Sequence, residues 1–273
     1  MTEVLNLEFW GVRGTCPVSG ENMWRYGGQT LCSFLEPPDG SILIIDAGTG
    51  IRQLGGKLQK KTTGKPVNFH LFLTHFHLDH IMGLPFFMPL YSPEVTLVIY
   101  ADFPPQKTEE YLSAFMGGRY FPISFQETQS EKIFKQVLGE GMEVGKNHIS
   151  LFPLHHPQGS VAYKIRSERT TVVFATDTEH PKEGIDRRLA DFSAGADVFV
   201  YDAMFTPEEY ESGKRGWGHS TWLEGTKLAN QAGVKKLFLS HFNPDHDDNQ
   251  IDEIIALARE RFEQTFGARE EKV

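Results

Sequence analysis

Cysteine is scarce in this chain: Cys16 and Cys32 are the two in 273 residues, and they do not form a C-x-x-C pair. Two thiols cannot build a disulfide framework, so reduced cysteines are expected. No apolar run approaches the ~20 residues needed to cross a bilayer. The opening Met1-Thr2-Glu3-Val4 lacks the basic and apolar regions of a secretion signal, so a cytoplasmic protein without membrane contact is expected. Positive charge is also short, with 27 Lys and Arg against 36 Asp and Glu and a formal net charge of −9. That balance argues against a general nucleic-acid-binding surface, although a local basic patch would escape the argument. No Pro/Ser-rich linker and no repeat with a period of roughly 20–50 residues divides the chain, so a single domain over residues 1–273 is expected.

Apolar runs are present in quantity, but they are short. Strand patterns fall at residues 5–10, 31–35, 41–45, 69–73, 95–100, 149–154, 161–165, 171–175, 197–201 and 236–240. Several alternate apolar with polar residues, whereas Ile42-Leu43-Ile44-Ile45 is continuous, as a strand covered on both faces would be. Helical patterns lie between them at 51–59, 108–115, 221–231 and from 249 to about 266. Strands mixed with helices predict a layered α/β domain. The charged tail, Arg269 to Val273, is expected to fray.

Histidine is also plentiful, with 11 copies, and four potential metal ligands crowd into Thr74-His75-Phe76-His77-Leu78-Asp79-His80 at the end of an apolar strand. In extended backbone, residues two apart face the same side, so His75 and His77 can grip one cation. A turn into helix after His77 would swing Asp79 and His80 toward a second. Imidazole nitrogen with carboxylate oxygen suits zinc, and also manganese or iron, better than magnesium or calcium. A polar loop with no function is the bland alternative, and the density of ligands weighs against it. Further ligands are available where other strands end: His155 or His156, Asp177 and His241. A lone strand-end His or Asp is more often a loop residue or a cap, but here the position recurs. Two divalent ions about 3.5–4 Å apart can lower the pKa of a shared water toward ~7 and present hydroxide at neutral pH.

The series His75-x-His77-x-Asp79-His80, His156, Asp177, His241 resembles the metallo-β-lactamase superfamily in order and spacing across nearly the whole chain. The resemblance implies a four-layer αββα sandwich with the metals at one edge of two sheets. It assigns His75, His77 and His156 to one ion, Asp79, His80 and His241 to the other, and Asp177 to both. His156 is preferred over His155 because related ligands directly precede a Pro-x-Gly segment, here Pro157-Gln158-Gly159. Asp46, in Asp46-Ala47-Gly48, matches a strand-end Asp-x-Gly of the family. It would orient the site from behind, or else cap a helix.

Cleaving a phosphodiester benefits from a proton donor for the departing alkoxide. Gly218-His219-Ser220-Thr221 and Tyr201-Asp202-Ala203 resemble the phosphodiesterase branch, which includes tRNase Z and cyclic phosphodiesterases. There a His-Ser-Thr histidine paired with an acid assists the leaving group; here the acid is Asp202 rather than the Glu typical of tRNase Z. His219 could otherwise be an ordinary loop histidine before a capped helix. Asp79, His219 and Asp202 are therefore the catalytic candidates. Residues 75–84 also resemble the signature of class II cyclic-nucleotide phosphodiesterases, and the segments around Arg13, Arg25 and Trp217 resemble bacterial phosphodiesterase-like metallohydrolases. Arg13 or Arg25 could contact a phosphate or support a Gly-rich loop. Some phenylalanines of the 83–148 region, among them Phe86, Phe87, Phe103, Phe115, Phe121 and Phe125, could wall a pocket, while most belong in a core.

The expected activity is dinuclear hydrolysis of a small or cyclic phosphodiester such as a cyclic nucleotide, with two divalent ions, first of all Zn2+. The alternatives are tRNA 3′-end processing and a metal-binding sensor with little turnover. Long RNA is the less favoured substrate, because no basic arm is visible and RNA affinity leans on phosphate contacts. A homodimer is suggested by analogy with the family alone.

Overall fold

The computed structural model describes residues 5–61 and 64–270. The start read from Met1 to Val4 and the last three residues of the tail lie outside them. In chain order the elements are β1 (Asn6–Gly11), β2 (Cys32–Glu36), β3 (Ile42–Ile45), α1 (Ile51–Leu58), β4 (Val67–Phe72), α2 (Leu78–Ile81), β5 (Val95–Ala101), α3 (Pro105–Phe115) and β6 (Glu131–Gln136). The second half continues with β7 (Met142–Val144), β8 (Asn147–Leu154), β9 (Ser160–Arg166), β10 (Thr171–Ala175), α4 (Arg187–Phe192), β11 (Val198–Asp202), α5 (Pro207–Glu211), α6 (Trp222–Ala232), β12 (Leu237–Ser240), α7 (Asp248–Arg261) and β13 (Thr265–Gly267).

Two mixed sheets form among the described residues, β1 to β6 in sequence order and β13 back to β7 in reverse order. Side-chain alternation decides what each face buries. Leu43 and Ile45 of β3 join Phe72 of β4 and the second sheet in one core between the sheets. Ile42 and Ile44 face the other way, into a separate core with Leu71 of β4 and Ile51, Leu54 and Leu58 of α1. The continuous apolar run in β3 is thus covered on both faces. Helices α6 and α7 bury Leu228, Ala229, Ile251, Ile254 and Ile255 against the second sheet. The order is helix, sheet, sheet, helix, the expected αββα sandwich.

Every strand and helix read from the pattern is present; the differences are the two short helices α4 and α5, which the pattern did not show, and shifts at ends and edges. The last helix stops at Arg261 rather than near Phe266, because Phe262 turns to extended backbone and the chain adds β13 to the sheet edge. Phe266 then stacks on Phe238 of β12, with ring centroids 5.2 Å apart. The edge strands β6 and β7 were not foreseen; Glu131-Lys132-Ile133-Phe134-Lys135-Gln136 has one exposed face and little apolar content. The first two residues of the tail are held rather than frayed: the Glu270 N–H donates to the Tyr26 carbonyl, and the Arg269 guanidinium lies over the Tyr26 ring. No helix among the described residues is long and apolar enough to cross a membrane.

Candidate metal centre

Three strands end in the same unusual way. Asp46 after β3, Asp177 after β10 and His241 after β12 all adopt left-handed backbone, with φ of 61°, 59° and 59°. Asp and His tolerate this region better than most residues, yet each instance costs of order 1–3 kcal/mol. The turn swings a side chain that would have continued the pleat across the strand ends. Such local cost persists where the surrounding contacts over-determine it, and all three side chains are buried in one cluster.

The ligand-rich run behaves as its spacing predicts. The chain leaves β4, passes His75, is extended at His77 and enters α2, where the His80 N–H donates to the His77 carbonyl. His75, His77 and His156 then bring donor atoms within 4.8 Å of one another, and so do Asp79, His80, Asp177 and His241. Asp177 is the common member by distance. Its Oδ1 lies 3.9 Å from His75 Nε2, 3.9 Å from His156 Nε2 and 3.2 Å from His241 Nε2, while its Oδ2 lies 3.2 Å from His80 Nε2.

These donors fit divalent cations. The His75 Nε2, His80 Nε2 and Asp177 Oδ2 atoms are buried without an aligned hydrogen-bond partner, a costly state for polar atoms that a shared cation would relieve. The electrostatics run the same way. Burial by itself would raise Asp177 and Asp79, but the neighbouring His241 and His80 imidazoles hold both carboxyls well below the usual carboxylate range. Burial would likewise lower His241, and Asp177 with Asp79 instead pushes it up to about 9. The carboxylates therefore impose a field that selects positive charge.

The supporting contacts fix each ring. The Asp46 carboxylate accepts from His80 Nδ1–H at 2.8 Å and from the Thr74 N–H at 2.8 Å, which turns His80 Nε2 toward the cluster. Asp46 lies ahead of α1, whose N-cap is Gly50, so the helix-cap alternative falls away. His77 Nε2–H donates to Gln158 Oε1 (3.0 Å) and His156 Nδ1–H to the Gly218 carbonyl (2.8 Å), so His77 Nδ1 and His156 Nε2 face each other at 3.0 Å. His155 is exposed, and its carbonyl accepts from the Glu179 N–H. Of the two neighbouring histidines, His156 is the one brought to the centre.

The two residues read as a candidate proton-donor pair are also brought together. Asp202 is fully buried, and its Oδ2 accepts from His219 Nδ1–H at 3.0 Å. His219 in turn stacks on His241, with centroids 4.9 Å apart. The aromatic residue beside it is Phe205, at 6.0 Å between centroids, and Trp217 meets Phe205 edge-on at 6.4 Å. Of the 83–148 phenylalanines, Phe87 and Phe125 are core with Phe115 packed against it, Phe86 pairs with Phe121, and Phe103 meets Phe76, the residue between His75 and His77, edge-on at 5.6 Å.

Neither arginine singled out from the sequence is at the centre. Arg13 is completely buried and donates to the carbonyls of Gly27, Asn243 and His246, so it supports the loops, not a phosphate. Arg25 pairs with Asp252 near the surface. Two residues after Arg13, the Thr15 N–H donates to Asp79 Oδ2 at 2.7 Å, a main-chain contact with no sequence signature.

Comparison with known proteins agrees with this fold. A family model described as the β-lactamase superfamily domain matches residues 42–242. A ribonuclease Z of Exiguobacterium sibiricum is 28% identical over 239 residues, covering 72% of this chain and 78% of the relative. A ribonuclease Z of Methanosarcina acetivorans is 24% identical over 315 aligned positions, covering 98% of this chain and 96% of the relative. Among solved structures, the metallo-β-lactamase fold protein YhfI from Bacillus subtilis superimposes with a TM-score of 0.74 at 19% identity, over 99% of this chain and 98% of that one. With the family model running from β3 through β12 and including every strand end that contributes to the cluster, the chain belongs to the β-lactamase superfamily.

Proposed function

We propose that this protein is a metal-dependent phosphodiesterase acting on a small or cyclic phosphodiester, such as a cyclic nucleotide. The observation that carries the reading is the His219–Asp202 pair set against a double group of metal donors. A carboxylate-held histidine beside the metal donors is what protonation of a departing alkoxide calls for. In this reading His75, His77 and His156 hold one ion, Asp79, His80 and His241 hold the other, and Asp177 serves both. Zinc is the first candidate for the donor set, with manganese and iron behind it. Bound there, two divalent ions would supply Lewis-acid stabilisation of charge developing at phosphorus and a water acidified toward pKa ~7. The chain's own part is to orient and to move a proton. Asp202 accepts from Nδ1 of His219, which leaves Nε2 to carry the proton that goes to the departing oxygen. Ligands come from the ends of both sheets, which supports treating the whole chain as one catalytic domain.

A second reading, RNA 3′-end processing, is favoured by relatives named ribonuclease Z that align over most of the chain. Two observations favour the smaller substrate. The Methanosarcina alignment needs 315 positions for a chain of 273 residues, so that relative carries stretches with no counterpart here. The net charge of −9 also offers little to a long polyanion.

Purified, metal-analysed protein assayed in parallel on bis-p-nitrophenyl phosphate, cyclic nucleotides and a precursor tRNA tests both readings. Hydrolysis of the cyclic esters is expected. Inactivity on every substrate in the zinc, manganese and iron forms would overturn the enzyme reading, and preference for the precursor tRNA would select the second.

A further inference from the structure

Glu179 stands two residues beyond Asp177 and takes none of the roles assigned above, yet its carboxylate is fully engaged. Oε1 accepts from the Tyr210 hydroxyl at 2.7 Å and from the Gly216 N–H at 2.8 Å, and Oε2 accepts from the Gly218 N–H at 2.9 Å. On the other side of the same residue, the Gly218 carbonyl accepts from His156 Nδ1–H. The next residue is His219. Gly216 and Gly218 have φ of 82° and 84°, so this short loop rests on backbone freedom that other residues lack.

Packing holds the loop on one side only, where Gly218 sits against Pro157 and His156 and Trp217 against Phe205. A cavity of about 410 Å3 opens along it, lined by Glu179, Gly216 and Gly218 together with His155 and His156. A glycine-rich segment beside open space would sample many conformations, and ordering it needs specific bonds. Hydrogen bonds from backbone N–H groups to an ionised carboxylate are about twice as strong as neutral ones.

We propose that Glu179 is a positioning residue that fixes the loop 216–218, and through it sets the ring of His156 and the placement of His219 together. This inference rests on the phosphodiesterase reading for its catalytic consequence, while its structural part stands on the loop alone. The metal ligand and the proton donor then share one anchor, so a displaced loop disturbs both. A misplacement of about 1 Å at such a group can cost on the order of a hundredfold in rate.

The test uses the full chain with Glu179→Ala, Glu179→Gln and Tyr210→Phe. Two substrates are compared, bis-p-nitrophenyl phosphate, whose leaving group needs little help, and 2′,3′-cyclic AMP, whose alkoxide needs a proton. Glu179→Ala should reduce kcat on the cyclic ester at least about tenfold more than on the aryl ester, within the range a general acid supplies. Tyr210→Phe should move the same ratio by less, and Glu179→Gln, which keeps one acceptor oxygen, should recover part of it. In metal-free protein, amide exchange across residues 214–220 should accelerate in Glu179→Ala while α7 keeps its protection. Equal losses on both esters, or unchanged exchange in the loop, would overturn the proposal. Wild-type inactivity on both esters would strike the phosphodiesterase reading instead, and the exchange measurement would still decide the role of Glu179.

Discussion

The Asp177 N–H donates to Asp202 Oδ2 at 2.9 Å, the same oxygen that accepts from His219. The carboxylate that orients the candidate proton donor thereby also clamps the backbone of the carboxylate placed between the two donor groups. Asp202 Oδ1 adds bonds from the Met204 and Ser220 N–H groups, so four donors converge on one buried side chain.

Asp202 and His219 should therefore respond differently to substitution. His219→Ala is expected to lose about 10²–10⁴ in kcat on poor leaving groups with little change in stability. Asp202→Asn should show a similar kinetic loss, because an amide cannot accept from all four donors. It should also cost about 1–3 kcal/mol in urea unfolding, since buried N–H groups lose their acceptor. Equal stabilities for the two variants would contradict the shared clamp.

The adjacent histidines separate by metal content. His156→Ala should lower bound zinc measured by elemental analysis after dialysis, and His155→Ala should leave it unchanged. Loss in His155→Ala would return the ligand assignment to that residue.

Gly14 packs directly against a candidate ligand. A Cβ there would lie 2.3 Å from His241 Cε1 and 2.4 Å from Met204 Cε. Gly14→Ala should displace the His241 ring and reduce metal affinity, read by competition with a chelator, while circular dichroism retains the fold. The expected loss is of order 10–100-fold, comparable with removal of other orienting contacts.

Glu270 should impose a pH dependence on stability that is separable from the metal centre. Burial pushes its carboxyl up to about 7 from the ordinary 4.5, against the bonds from the Gln29 and Gly28 N–H groups and the charge of Arg13. Between those two values the folded chain holds a proton that the unfolded chain has released, so its contribution to stability falls as pH rises. Glu270→Gln should remove that slope. The wild-type minus variant stability should drop by of order 2–3 kcal/mol from pH 4 to 8 in urea titrations, and a flat difference would show that the carboxyl is not perturbed.

Much of the fold was legible because its strands are short, apolar and bounded. What escaped was at the margins, where local pattern is weakest. β6 and β7 present polar faces, and the apolar spacing that continues past Arg261 is ambiguous between a longer helix and the edge strand β13. Phe266 settles that ambiguity by stacking on Phe238, a residue 28 positions earlier that no local window contains. Arg13 reads equally well as a phosphate contact or a loop support, and its three carbonyl partners, two of them beyond residue 240, decide for the loop.

The sequence by itself determined the donors: imidazoles and carboxylates at strand ends, in an order and spacing that already separate His75 and His77 from Asp79 and His80. Side-chain chemistry and the two-residue repeat of extended backbone are local properties, and they survive in a linear reading. Only the tertiary structure showed that His155 is exposed while the Gly218 carbonyl aims His156, the residue the resemblance preferred, into the centre, that Asp46 holds His80, and that Glu179 holds the loop before His219. Those choices depend on left-handed turns and main-chain contacts between strands far apart in the chain, and a backbone N–H or C=O is the same at every residue until the fold gives it a partner.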